Sequence, residues 1–173
     1  LPKGLTHLFV KKWGWGKWDY LPNWFLWVNW RNSKMDKQLI LIPIAPIIFL
    51  TLIVAAHMRY FAVKKAVKSR DVKFGYFKVY QGNVPDYLLA ARHHYKNMFE
   101  LPLIFYVICI LVYISDNLDS FDLWLAWGFV ITKYVHSIIR MTTNYVPHRG
   151  ISFSISFLIV IVQYFYFFSK III

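Results

Sequence analysis

Long apolar runs alternate with short polar connections along this chain, and four of the runs approach the ~20 residues that a helix needs to cross ~30 Å of hydrocarbon. The first covers Gln38 to Val63, with Pro43 and Pro46 near its start, where a missing amide donor is most easily tolerated. The second runs from Pro85 to Ile114, polar in its first half and apolar in its second. Asp119 to Thr143 makes the third and Ile151 to Ile173 the fourth. The pattern predicts an all-α membrane protein, with a four-transmembrane-helix bundle over residues 38–173 and a polar-aromatic tail over residues 1–37. No stretch is left over for a soluble domain.

The connections sort by charge. Between the first two helices, Arg59, Lys64, Lys65, Lys68, Arg70, Lys73 and Lys78 face Asp71 alone, whereas the turn between the second and third holds Asp116, Asp119 and Asp122 without a base. The positive-inside rule then places the first loop in the cytoplasm and the acidic turn outside, with His148 and Arg149 again cytoplasmic and both termini on the far side. Residues 1–37 conflict with that topology, because Lys3, Lys11, Lys12, Lys17, Arg31, Lys34 and Lys37 would then lie outside. The tail also holds Trp13, Trp15, Trp18, Trp24, Trp27 and Trp30, in a run too short to span, which reads as a segment lying in the headgroup layer. Two other readings of the tail stay open: an extension preceding an ordinary start at Met35, and a docking arm through residues 1–34 for a larger membrane complex. It has no contiguous apolar core ending in a cleavage site, so it is not read as a signal peptide.

Composition agrees with the pattern. A hydrophobic content of 58% exceeds the roughly 45–50% of an ordinary globular domain, so a membrane class is favoured over a soluble one. The formal charge of +12 lies between apolar runs, which points to lipid headgroups rather than nucleic acid. Cys109 is the single cysteine and sits in an apolar run, so it has no intrachain disulfide partner and reads as a core residue.

Candidate chemistry concentrates in Ala90 to Pro102, AARHHYKNMFELP. Ionisable groups in a membrane-embedded helix are costly, on the order of 2.5–3.5 kcal/mol for a central charge, and make a functional-site hypothesis by default. On a helix His93, Asn97 and Glu100 share one face with Arg92 and Lys96 a step around, and Lys133, His136 and Arg140 repeat the spacing on the third helix. The two stripes are expected to face one bundle interior, with Lys133 or Arg140 pairing Glu100. Interhelical glue is the plain reading of Asn97 and Glu100. The surplus of Arg92, Lys96, Lys133, Arg140 and Arg149 over one carboxylate predicts attraction of an anion, either a substrate or a lipid phosphate. No metal site is expected from His57, His93, His94 and His136, whose spacing matches no ligand motif. Phosphate loops, nucleophile elbows and nucleic-acid motifs are lacking as well.

The pattern RHHYKNMFELPLIFYV followed by LAWGFVITKYVHSIIRMTTNYVPHR resembles the MAPEG superfamily, the membrane-associated proteins in eicosanoid and glutathione metabolism, and looks closest to its small bacterial branch. The resemblance covers Met35 to the C-terminus. It implies a homotrimer of four-helix bundles in a bacterial inner membrane, with glutathione as co-substrate held between subunits near the cytoplasmic surface. On that basis Arg92, His93, Asn97, Glu100, Lys133, His136 and Arg140 are the glutathione-binding candidates, and Arg149 is the catalytic candidate that stabilises the thiolate. The chain departs from the family pattern at His93, where active members usually carry Arg, and at Arg140, where they tend to carry Tyr. Two functions follow: a glutathione S-transferase or peroxidase acting on a lipophilic small molecule, or a non-catalytic accessory or scaffold subunit. A lipid-headgroup binder is the third reading.

Overall fold

The computed structural model describes residues 35–73, 75–80 and 82–172, which lie in the compact unit Met35–Ile173. The tail expected over residues 1–37, with its tryptophans and docking role, falls outside the described residues as far as Lys34. Every regular element among the described residues is helical. We label them α1 (Lys37–Lys68), α2 (Tyr76–Val79), α3 (Asp86–Ser115), α4 (Ser120–Met141) and α5 (Val146–Ile172). The helices α1, α3 and α5 are each long and apolar enough to cross a membrane. The 22-residue α4 is not in that set, because Asp122, Lys133, His136 and Arg140 interrupt its apolar sequence.

Local chemistry sets the ends. The Asp36 carboxylate accepts from the Gln38 amide at 2.9 Å and opens α1 as a 3-10 turn over Lys37–Leu41. Helix α1 widens into a π-helical segment over His57–Val63 before closing as α-helix through Lys68. Lys65 and Lys68 then sit in its last turn, where the helix dipole favours cations. Asp119 and Asp122 form a reciprocal capping box at the start of α4. Helix α5 starts at Val146, five residues before the expected Ile151, because Pro147 lies in the first turn, where its missing amide is no loss. Arg149 therefore stands on a helix rather than in a loop.

The four long helices meet in a core of Ile47 from α1, Phe105, Ile108 and Val112 from α3, Phe129 from α4, and Val160 and Phe167 from α5. Phe105 and Phe129 stack with ring centroids 4.3 Å apart. Lipid is as apolar as leucine, so this core is held by close packing rather than by escape from water. Tyr134 ties α4 to α1 by donating to the Pro46 carbonyl at 2.9 Å. Nearer the basic loop, Ala62, Ala66 and Ala91 let α1 and α3 approach closely beside Leu88.

The chain direction puts the two ends of the molecule in contrast. At one end Lys37 faces Asp116 at 3.8 Å, and Lys170 near the end of α5 binds Asp122, Asp119 at 3.3 Å and the Asn117 carbonyl at 2.8 Å. The Tyr166 hydroxyl donates to Asp119 at 2.6 Å. Burial opposes ionisation of Asp119, but the Tyr166 hydroxyl, the Asp122 capping interaction and Lys170 outweigh it and hold its pKa below the ordinary aspartate value. At the other end lie the basic part of α1, the 69–85 connection and the residues of the next section. There Ser69 and Tyr87 hydroxyls donate to Asp71 at 2.6 and 2.8 Å and lower its pKa.

Candidate functional site

The rotational phase of α3 differs from the expected one. Leu88, Ala91, His94, Met98, Leu101 and Phe105 point inward, while His93, Lys96 and Glu100 are exposed and Arg92 and Asn97 are half-buried. The stripe of His93, Asn97 and Glu100 thus lies on the outer flank of α3 in a single chain. Glu100 pairs with Lys96 at 3.7 Å, one turn away on the same helix, in place of the expected Lys133 or Arg140. His94 takes the interior position, its Nε2 3.0 Å from the Ser137 hydroxyl and its ring centroid 6.2 Å from that of His136.

On α4 the polar residues do turn inward. Lys133 is fully buried, its Nζ 5.8 Å from the Phe129 ring centroid and 5.4 Å from that of Phe153, with no hydrogen-bond partner among the described residues. His136 donates from Nδ1 to the Arg149 carbonyl at 3.0 Å, beside the Ser152 hydroxyl at 3.2 Å. Ser152 itself donates to that carbonyl at 3.1 Å, so three residues fix the first turns of α5 against α4. The Nε2 of His136 is buried without a partner among the described residues.

This pinning places Arg149 over a cavity of about 400 Å³ that it shares with Asp86, His93, Asn97 and Arg140. Leu89 and Ala90 form its apolar wall. The Arg140 Nη2 donates to the Ala90 carbonyl at 3.3 Å, spanning α4 to α3. The Arg149 Nη1 donates to the Asn144 side-chain oxygen at 2.7 Å. Asn144 adopts a left-handed conformation at φ 50°, which Asn tolerates better than most residues, and that turn brings its amide under the guanidinium.

Four of the nine residues singled out from sequence, His93, Asn97, Arg140 and Arg149, therefore line one cavity. Arg92 and Lys96 line a second one against α1, which His93 also borders, and Glu100, Lys133 and His136 line neither. Asp86 was absent from the sequence reading, although a signal existed: Asp86, His93 and Asn97 stand at i, i+7 and i+11 and share a helical face. Nothing in the sequence distinguished His94 from its neighbour His93. Among the described residues no group of three or more His, Cys, Asp or Glu gathers to hold a metal ion.

A membrane-type helical chain with a two-arginine cavity beside Asn97 matches a known family along most of its length. The profile of the MAPEG family aligns with residues 40–169. The chain belongs to the MAPEG family. No curated protein and no solved structure matches it. MAPEG proteins are membrane proteins, typically trimeric, and members commonly use glutathione in transferase or peroxidase reactions or act in eicosanoid metabolism. The match begins at Ile40, so the MAPEG assignment covers the helical unit and not the tail.

Proposed function

We propose that this MAPEG protein binds glutathione in the cavity lined by Asp86, His93, Asn97, Arg140 and Arg149, and conjugates it to, or uses it to reduce, a lipophilic electrophile arriving through the bilayer. The observation that carries this reading is the convergence of two guanidinium groups, one amide and one carboxylate on a single 400 Å³ cavity. Glutathione presents two carboxylates, one ammonium and one thiol. Arg140 takes a carboxylate, Asp86 takes the ammonium, and Asn97 and His93 orient the peptide by hydrogen bonds. Arg149 stands beside the thiol, where its positive charge favours the thiolate. The thiolate sulfur then bonds to the electrophilic carbon, whose leaving group or opened oxygen takes the electron pair, and the thiol proton passes to solvent.

In this proposal α4 spans the membrane with α1, α3 and α5, and the working unit is a homotrimer. Glu100 and Lys96 support an assembly, because both lie on the outer face of a membrane-length helix and contact with lipid tails there would be costly. A neighbouring subunit would cover them. Titration of the purified full chain in detergent tests the binding claim: saturable uptake of glutathione is expected, with thiolate absorbance appearing at lower pH than for free glutathione. Absence of binding at millimolar glutathione would sink it.

A second reading, a non-catalytic accessory or scaffold subunit, draws support from the bond between Arg140 and the Ala90 carbonyl, a helix-to-helix tie that needs no ligand. Co-purification of intact protein and protein lacking residues 1–34 tests it. Loss of partners on deletion would favour the scaffold and its tail.

A further inference from the structure

A second cavity is larger than the one above. It measures about 1060 Å³ and lies between the second half of α1, the short α2 and the start of α3. Its rim carries Arg59, Lys64, Lys68, Arg92 and Lys96, and no Asp or Glu is part of the lining. Among the described residues only Lys96 of these five makes an ion pair, with Glu100 at 3.7 Å. The floor is apolar, built by Met58, Val63, Val67 and Leu89. Such a combination is neither an ordinary solvated face, which would mix charges of both signs, nor a closed core.

We infer that this cavity is a binding site for an anionic phospholipid, its phosphate held by Arg59, Lys64, Lys68 and Arg92 and the first part of its acyl chain laid on Met58, Val63 and Leu89. Three features carry the assignment. The volume suits a ligand of drug size, for which sites run roughly 300–1,000 Å³, and is far too large for a lone phosphate. The position, at the basic end of a membrane-length helix with Leu89 open to the surroundings, is where a headgroup lies and an acyl chain begins.

The third feature is preorganisation. The Arg92 guanidinium lies 4.4 Å from the Tyr80 ring centroid and donates to the Tyr76 hydroxyl, so one cation of the rim is fixed rather than free to swing. Tyr80 ends α2 in the left-handed region at φ 57°, a conformation costly for an aromatic residue, and this aims its ring at Arg92. Across the cavity, the π-helical segment supplies Met58, Arg59 and Val63, and π turns recur at functional sites. Leu89 and His93 line both cavities, but none of the four cations assigned to the phosphate here lines the smaller one, and Asn97, Arg140 and Arg149 do not line this one.

Native mass spectrometry of the full chain in non-ionic detergent, incubated with phosphatidylglycerol or phosphatidylcholine, tests the site. Phosphatidylglycerol should be retained saturably and phosphatidylcholine at least about tenfold more weakly. Arg59→Gln with Arg92→Gln should weaken phosphatidylglycerol binding by about 25-fold, at roughly fivefold per charge near the surface. Lys64→Gln with Lys68→Gln, on exposed positions that threaten no core, should do so comparably, while Lys37→Gln at the opposite end should change nothing. Equal retention of the two lipids, or unchanged binding in both double variants, overturns the site. So does displacement of the lipid by inorganic phosphate alone, which would make the cavity an anion site without a lipid. Displacement by glutathione would merge it with the smaller cavity and overturn it too, whereas loss of glutathione binding with lipid binding intact would strike only the proposed function.

Discussion

The two ends of this helical unit solve the same problem, charge at the edge of a membrane, in opposite ways. At the acidic end, Lys37 and Lys170 are spent on Asp116, Asp119 and Asp122, and a tyrosine hydroxyl and a capping box complete the set. At the basic end Arg59, Lys64, Lys68, Arg92, Arg140 and Arg149 surround two cavities, and Asp71 is satisfied by hydroxyl groups instead of by a cation. The first arrangement stitches helices together, because each lysine is paired and, of the buried atoms in this set, only Asp122 Oδ1 is left without a hydrogen-bond partner among the described residues. The second leaves positive potential at open mouths, which is what anion recognition requires. Opposite charge placed on the same fold thus separates a paired end from one with a surplus of cations, where the proposed ligands would bind.

The sharpest break of that contrast is Lys170→Met. It leaves Asp122 buried without its cation and should cost about 3 kcal/mol of stability, read from the thermal midpoint in detergent. A negligible shift would mean the acidic end is not a clamp. Arg140→Leu addresses the other end: glutathione binding should fall about tenfold, roughly 1.4 kcal/mol, with helix content retained in circular dichroism. Ser137→Ala removes the partner of buried His94 and should cost about 1 kcal/mol without altering ligand affinity.

Acid separates the ends more gently. The depressed pKa of Asp119 means that its share of stability is complete above the ordinary aspartate value near ~4 and is lost only as pH falls through its own lower value. Thermal midpoints of the parent and of Tyr166→Phe, followed down to about pH 3, should show the variant weakening at higher pH. Asp71→Asn is the mildest change: the residue is exposed, so helix content and thermal midpoint should stay as they are.

Helix positions were largely legible in the sequence because length and apolarity are all that a spanning segment needs. Pro85 to Ile114 was expected and Asp86–Ser115 is found; Asp119 to Thr143 was expected and Ser120–Met141 is found. The start of α5 lies five residues before the expected Ile151, because the polar His148 and Arg149 read as a connection whereas Pro147 lies in the first turn of the helix. The phase of α3 was not legible for a deeper reason. Phe99, Leu103 and Val107 face outward as readily as Met98 and Leu101 face inward, so apolar residues surround the helix and do not mark its buried side. With that marker gone, polar spacing alone gave the relation between His93, Asn97 and Glu100 but not the direction in which they point. The grouping of Arg140 with Arg149 was foreseeable in charge, while their meeting with Asp86 needed the turn through Asn144.

The widened turn of α1 acts as a phase adjuster. Its buried contacts run Ile47, Leu50, Val54 and then Ala62 and Ala66, and the eight steps from Val54 to Ala62 overshoot two turns by about 80° in a uniform α-helix at about 100° per residue. The π-helical segment absorbs that excess, so both alanines stay beneath α3 while Arg59, Lys64 and Lys68 come around to one rim. Shortening the segment by one residue would keep every side chain's chemistry and rotate the basic terminus out of alignment with Arg92. The basic end of this protein is set by a count of residues as much as by their charges.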